Sequence, residues 1–219
     1  MMDGVKAGIL TNGPVDATTT VVLAHGAGAG MDSLFMEVFA GGIAEGGLRV
    51  VRFEFPYMVE RRCTGKRRLA DREPVLREAW HKVIDLVEAE RLVIGGKSMG
   101  GRMASLIADE AEVAGLVCLG YPFHPTGKPD RLRTEHLEGI ATPTLIVQGE
   151  RDSLGNREEV SGYGLSKNVR VRWLPDGDHS FRPRKKSGYT LEENWRTAID
   201  AVVEFAKGLG MGADFQSSG

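Results

Sequence analysis

Six short segments of the chain are rich in β-branched and other apolar residues, and several of them are continuously apolar. Strands that are covered on both faces have this pattern. Segments with helical patterns lie between them, so strand and helix alternate, which predicts an α/β fold with a mostly parallel central sheet and helices on both faces. The predicted strands lie at residues 18–26, 48–56, 91–96, 113–120, 143–149 and 168–175, and residues 5–13 are expected to add an antiparallel edge strand.

Two predicted helices have clear sequence signals. The first spans residues 71–90, where one apolar stripe recurs at helical spacing and Pro74 suits the first turn. The second begins at Thr190, because Glu193 three residues later completes a capping box. The positions predicted to be buried are Leu76, Trp80, Val83, Ile84 and Val87 in the first helix and Trp195, Ala198, Ile199, Val202 and Ala206 in the second.

Length and composition limit the domain organisation and the partners. The chain has 219 residues, of which 42% are hydrophobic, which is enough for one sizeable core. We therefore expect a single domain over residues 1–219, with a core at about residues 18–207 and a frayed tail from residue 208. The formal net charge of -2 gives no reason to expect nucleic acid or an anionic membrane as a partner.

The chain contains two cysteines, Cys63 and Cys118, and no C-x-x-C motif, so both are expected to be free thiols in a reducing compartment. No segment approaches the roughly 20 apolar residues that a membrane-spanning helix needs, and no secretory leader is recognisable. A cytoplasmic protein is the resulting expectation. The sequence does not indicate an oligomeric state.

The stretch IGGKSMGG, residues 94–101, has two chemical interpretations. A phosphate-binding loop of the form G-x-x-x-x-G-K-[ST] would need glycine at position 91, which is Arg91, and the following residues are strand-like. The alternative is a G-x-S-x-G motif between a buried strand and a helical segment, which is the context of a nucleophile elbow. We therefore expect Ser98 at the tip of a strained turn, with Gly96 and Gly100 where strand and helix pass too closely for a Cβ atom.

A serine hydroxyl needs a general base, and in this motif class a carboxylate and a histidine follow the serine in that order. Asp152 lies just beyond the strand at 143–149, and His179 lies in the loop after the last predicted strand. Both therefore belong to the carboxyl edge of the sheet, where Ser98 also lies. Glu150 and Asp178 are rival carboxylates, and Asp152 is preferred because it lies past the strand end.

Acyl transfer also needs donors for the developing oxyanion. The predicted donors are the backbone N–H groups of Met99, which follows the serine, and of Ala27, in the glycine-rich loop after the first central strand. That loop also imitates a dinucleotide-binding G-x-G-x-x-G pattern. The required last glycine is replaced by Met31 in one register and by Ser33 in the other, so no nucleotide cofactor is expected.

Basic residues follow two strands on the same predicted edge. We hypothesise that they attract an anionic substrate, with Arg61 or Arg62 as the direct contact and Lys97 adding a charge beside the nucleophile. The alternative is that they are solvated loops. The two runs are Arg61, Arg62, Lys66, Arg67 and Arg68, and Arg182, Arg184, Lys185 and Lys186.

Five separated motifs resemble, in order, those of an α/β-hydrolase-like family: HGAGAGMDS, FEFPY, GGKSMGGRMAS, GYPFHP and QGERD. The family includes a testis-expressed protein and a subunit of the nonspecific-lethal chromatin complex, and its bacterial members are often described as dienelactone-hydrolase-like. The resemblance covers roughly residues 18–205. It implies an α/β-hydrolase fold with Ser98, Asp152 and His179 at the positions of the family's triad. True dienelactone hydrolases use a cysteine nucleophile, so the serine argues against a dienelactone substrate.

These signals predict a serine hydrolase that cleaves a small-molecule ester or thioester through an acyl-enzyme, without a cofactor or metal. About twenty residues separate Tyr121 from Pro143, which is too few for a lid domain. The alternative from another class is a non-catalytic interaction module that keeps the fold and docks through GYPFHP and the basic loops. A complete Ser, Asp and His set argues against that alternative.

Overall fold

A computed structural model describes residues 8–209 of the chain as one seven-stranded sheet in the order β1-β3-β2-β4-β5-β6-β7. β1 pairs antiparallel with β3 at one edge, and every other pair is parallel. All seven predicted strands are present, including the antiparallel edge strand, whose predicted residues 5–7 lie outside the described residues. Their bounds are β1 Ile9–Asn12, β2 Thr19–Ala24, β3 Arg49–Phe53, β4 Arg91–Lys97, β5 Gly115–Leu119, β6 Thr144–Gly149 and β7 Val169–Leu174.

Helices cover both faces of the sheet. Together with the central strands they enclose two apolar cores, one under α2, α3 and α4 and one under α1 and α6. β2, β5 and β6 are buried along their whole length because each has a strand on either side and helices above and below. The helices are α1 Leu34–Glu45, α2 Pro56–Thr64, α3 Glu73–Leu86, α4 Met99–Ser105, α5 Arg157–Val160 and α6 Leu191–Gly208.

Both helices with clear sequence signals form, but α3 is shorter than the predicted 71–90, and of the positions predicted to be buried Ile84, Val87, Trp195 and Ile199 are only partly buried. α3 buries Leu76, Trp80 and Val83 against the sheet. α6 begins with the capping box, in which the Thr190 side chain accepts from the Glu193 N–H and the Glu193 carboxylate accepts from the Thr190 N–H. Its regular structure continues to Gly208, so the frayed tail does not begin there, and the rest of the predicted tail from residue 210 lies outside the described residues.

Two segments differ from the sequence-based expectation. The segment after Ser98 forms a helix of only 7 residues, α4, followed by turns. The first basic run, for which a solvated loop was the alternative, begins inside α2, which spans Pro56–Thr64 and is capped by Gly65 in the left-handed conformation. Pro56 suits a first helical turn because its missing N–H would have no intrahelical acceptor there.

The loops that leave the carboxyl ends of the parallel strands all open on one edge of the sheet. The loop between β5 and β6 contains only the 3₁₀ helix Glu135–Leu137, so no lid domain is inserted there, as predicted. Cys63 is exposed and Cys118 is buried, and both are free thiols. None of the helices within residues 8–209 has the length and apolar character needed to span a bilayer.

Candidate active site

Ser98 lies at the tip of the turn that joins β4 to α4. Its backbone has φ 50° and ψ -113°, a conformation that non-glycine residues rarely adopt. The Ser98 N–H donates to the Leu119 carbonyl at 3.0 Å, which fixes the turn to β5. A Cβ atom at Gly100 would lie 2.5 Å from the Ala24 carbonyl oxygen, and one at Gly96 would overlap the same oxygen. The predicted close approach of strand and helix is therefore confirmed.

His179 comes from the loop after β7 and meets Ser98 across the sheet edge. The distance from His179 Nε2 to Ser98 Oγ is 2.9 Å. The loop returns to the core two residues later, where Phe181 is fully buried with φ 71° and donates its N–H to the Asp178 carbonyl at 2.8 Å. This anchorage places the imidazole over the nucleophile turn.

Asp152 follows β6 and is completely buried. Its Oδ2 lies 2.7 Å from His179 Nδ1, and the same oxygen accepts from Gln148 Nε2 at 2.9 Å. Its Oδ1 accepts from the Leu154 N–H at 2.9 Å. Both oxygens are therefore hydrogen-bonded, as a buried carboxylate requires. The acid that orients the histidine side chain in this structure is Asp152.

The two rival carboxylates have other partners. Glu150 pairs with Arg157 at 2.7 Å and accepts from the Asp176 N–H at 3.0 Å. Asp178 accepts the N–H groups of Ser180 and Arg182 and so closes the turn that contains His179. Neither side chain contacts the imidazole.

Lys97 lies next to the nucleophile, but its charge is buried beneath the site, and Lys97 is not among the residues that line the cavity. The side chain is buried, its Nζ donates to the His179 carbonyl oxygen at 2.5 Å, and its ammonium lies 5.5 Å and 5.8 Å from the ring centroids of Phe35 and Phe181. Burial lowers the pKa of Lys97 to about 8, although Asp152 and Asp178 act in the opposite direction.

The two predicted oxyanion donors belong to residues that line one cavity with Ser98. This cavity has a volume of about 450 Å³ and includes Ala27 and Met99 in its wall. The Met99 N–H is in the first turn of α4, where no intrahelical acceptor exists. The Ala27 loop is held by Tyr57, whose hydroxyl donates to the Ala27 carbonyl at 3.1 Å. The structure thus brings both residues to the serine.

The predicted substrate contacts, Arg61 and Arg62, are not in the wall of this cavity. Arg62 forms ion pairs with Glu54 at 2.5 Å and with Asp32 at 2.8 Å, and the hydrogen bonds that it donates to these carboxylates raise its pKa. Arg61 donates to the Gly28 carbonyl at 3.3 Å. The guanidinium of Arg62 therefore stabilises the loop around the site.

Three polar residues of the site were missed by the sequence analysis: Arg102 and Arg133, which line the cavity, and Gln148, which fixes Asp152. Signals for two of them existed. Arg102 is four residues after Ser98 and so lies on the same helix face, and Gln148 is a polar residue inside an otherwise apolar buried strand. Residues 8–209 contain no group of three or more His, Cys, Asp and Glu side chains placed to hold a metal ion.

The fold and the arrangement around Ser98 are those of an α/β hydrolase. Residues 17–207 match the family described as Alpha/beta hydrolase domain, and the chain belongs to that family.

Several solved structures share the fold of this chain. An α/β serine hydrolase homologue from Coxiella burnetii is 20% identical, with a TM-score of 0.68 over 90% of this chain and 89% of that one. A serine hydrolase without a lid from Xanthomonas campestris is 19% identical, with a TM-score of 0.67 over 90% and 87%. A dienelactone hydrolase from Anabaena variabilis is 21% identical, with a TM-score of 0.63 over 94% and 93%. At these identities the likeness concerns the fold.

Proposed function

We propose that this protein is a serine hydrolase that cleaves small esters or thioesters through an acyl-enzyme intermediate. The observation that carries the proposal is the unbroken chain of contacts from Ser98 Oγ to His179 Nε2 at 2.9 Å and from His179 Nδ1 to Asp152 Oδ2 at 2.7 Å. Ser98 is the nucleophile, His179 is the general base and Asp152 orients the imidazole.

The buried carboxylate determines which imidazole nitrogen carries the proton. Because Asp152 accepts at Nδ1, Nε2 is free to accept the proton of the Ser98 hydroxyl as Oγ attacks the substrate carbonyl carbon. The imidazolium that forms is stabilised by Asp152 and then protonates the leaving group. Water, deprotonated at the same nitrogen, attacks the acyl-enzyme and releases the acid while Ser98 regains its proton.

The negative charge on the tetrahedral intermediate is stabilised by the N–H groups of Met99 and Ala27. The residues are suited to this role because both line the cavity with Ser98. The volume of about 450 Å³ matches a small-molecule ligand. Esters and thioesters of small acyl groups are therefore the expected substrates. The proposal includes no nucleic-acid partner.

A fluorophosphonate probe with peptide mass spectrometry tests this function. Labelling is expected at Ser98 in the wild-type protein and none at that position in Ser98→Ala. Ser105→Ala is the matched control, because Ser105 Oγ also lies 2.8 Å from a histidine nitrogen, that of His136, but is buried in α4. This variant should label like wild type. Absence of labelling at Ser98 would favour a non-catalytic interaction module with a hydrolase fold.

A further inference from the structure

Two arginines lie at the junction of two cavities on the substrate side of Ser98. Arg102, on α4, and Arg133, in the β5–β6 loop, line the cavity that contains the nucleophile. Both also line an adjoining cavity of about 900 Å³. A molecule whose carbonyl group lies against Ser98 can therefore extend toward both guanidinium groups.

These guanidinium groups are incompletely satisfied by the protein. The half-buried Arg133 side chain forms no ion pair or hydrogen bond within residues 8–209. Arg102 has one ion pair, with Glu73 at 3.1 Å, while its buried Nε has no hydrogen-bond partner among the described residues. Burial, and after it the positive charge of Arg102, lower the pKa of Arg133.

Arg133 is nevertheless held firmly through its backbone. Its N–H donates to the Phe123 carbonyl at 2.8 Å, and its carbonyl accepts from the Tyr121 hydroxyl at 2.9 Å. The Tyr121 N–H in turn donates to Gln148, which also binds Asp152. The loop that presents the free arginine is therefore tied to the residues that position the candidate acid. A site organised in this way loses little entropy when a ligand binds.

The wall of the nucleophile cavity also contains two carboxylates, those of Asp71 and Glu73, so its own formal charge is balanced. Glu73 is paired with Arg102, and Asp71 accepts the Tyr57 N–H at 2.9 Å. The adjoining cavity adds further cations, since its lining includes Lys128 and Arg131 with Asp130 as the single acidic residue among its wall residues. Over both cavities four cations face three carboxylates, so the combined space keeps a net positive charge that favours an anion: Arg102, Lys128, Arg131 and Arg133 against Asp71, Glu73 and Asp130.

We propose that Arg133, assisted by Arg102, binds a carboxylate of the ester substrate while the ester carbonyl lies against Ser98. The substrate class is thus a monoester or thioester of a dicarboxylic acid. The planar guanidinium of Arg133 can donate two parallel hydrogen bonds to a carboxylate, which gives geometric selectivity as well as charge. This inference rests on the proposed hydrolase function and replaces Arg61 and Arg62 as the substrate contact.

The test compares 4-nitrophenyl monoesters of adipic and suberic acid with the corresponding monoamide esters, which have the same length without the charge. Wild type should prefer the acids in kcat/KM. Arg133→Met should lower the acid-to-amide ratio of kcat/KM about tenfold or more. Arg133→Lys should retain part of the preference, because it keeps the charge but not the paired donors.

Arg67→Met is the charge-matched control, because Arg67 is an exposed arginine of the other basic run. Its ratio should stay at the wild-type value. An unchanged ratio in Arg133→Met, or an equal fall in Arg67→Met, would overturn the proposed site. If wild type cleaves the amide esters in a Ser98-dependent manner but shows no preference for acids, the hydrolase function stands and the inference fails.

A binding measurement tests the anion site independently of the hydrolase function. Calorimetric titration of adipate should show an affinity for wild type that falls about tenfold or more in Arg133→Met. If no ester is cleaved but this difference is found, the hydrolase proposal fails while the anion site stands. Equal affinities would exclude the site.

Discussion

The Nζ atom of Lys97 donates a hydrogen bond of 2.5 Å to the backbone carbonyl oxygen of His179. Lys97 is the last residue of β4, so this bond joins the strand that ends at Ser98 to the loop that supplies the imidazole. Gly120 makes the approach feasible, because a Cβ atom there would lie 2.8 Å from both bonded atoms. Lys97 is therefore a positioning residue, since its contact is with the histidine backbone.

The buried ammonium predicts a specific dependence of stability on pH. The pKa of Lys97 is about 8 in the folded protein, where the side chain is buried, and has its ordinary value of 10.5 in the unfolded chain. At pH values between these two, the unfolded chain therefore binds more protons than the folded protein. Stability linked to Lys97 is therefore fully present above pH 10.5 and is lost as pH falls through 8. As the pH rises from 8 to 10, the free energy of unfolding of wild type should increase by on the order of 2 kcal/mol relative to that of Lys97→Met.

Urea unfolding at several pH values measures this difference. Lys82→Met is the control, because Lys82 is an exposed lysine of α3 paired with Glu78 at 2.6 Å. Its unfolding free energy should follow that of wild type with pH. A constant difference between wild type and Lys97→Met over this pH range would show that the side chain is not held in a low-dielectric environment.

Substitutions of Asp152 and Glu150 should show which of the two carboxylates orients the histidine. Asp152→Asn keeps the size of the side chain but favours the imidazole tautomer that cannot accept the Ser98 proton, so kcat should fall roughly 10³- to 10⁴-fold. Glu150→Gln removes the rival carboxylate, which contacts Arg157 and not the histidine, and should leave kcat near wild type. Steady-state hydrolysis of a 4-nitrophenyl ester measures both, and the reverse ranking would reassign the acid.

The close packing behind the nucleophile predicts opposite effects for two glycine substitutions. Gly100→Ala would place its Cβ 2.5 Å from the Ala24 carbonyl oxygen and 2.7 Å from that of His25, so it should destabilise by roughly 2 kcal/mol or more. Gly41→Ala, in α1, meets nothing within 4 Å and should stabilise by about 0.5–1 kcal/mol. Denaturant unfolding compares the two, and equal effects would mean that the turn can relax.

Salt should reveal whether the cationic cavity attracts its substrate from solution. At physiological ionic strength, dissolved salt screens the interaction between exposed charges that are more than about 8 Å apart. We expect kcat/KM for carboxylate-bearing esters to fall with salt while that for neutral esters stays constant. Identical salt profiles for both ester types would show that long-range attraction does not contribute.

The strands and the candidate triad were accessible from sequence because each depends on local signals and on one topological rule. Continuous apolar runs marked buried strands, and the carboxyl ends of parallel strands share an edge, so Ser98, Asp152 and His179 had to converge. The structure brings them within hydrogen-bonding distance. Their catalytic roles remain a prediction until variants are measured.

The charged residues around the site could not be assigned in this way, because their partners are distant in sequence. Arg62 is paired with Asp32, 30 residues earlier, and Lys97 donates to a carbonyl 82 residues later. A run of basic letters does not indicate which guanidinium has a carboxylate beside it. The sequence also did not indicate that Arg133 is half-buried and unpaired, because its position depends on the hydrogen bond from Tyr121 to its loop.

The short connection between β5 and β6 has a consequence for turnover. Because this loop contains only a 3₁₀ helix of 3 residues and no inserted lid domain, substrate entry and product escape require no domain opening. Diffusional exchange should then be fast compared with bond making and breaking, so added glycerol or sucrose would leave kcat unchanged. The turnover rate of such an enzyme would depend on the reactivity of its ester and not on the opening of a lid.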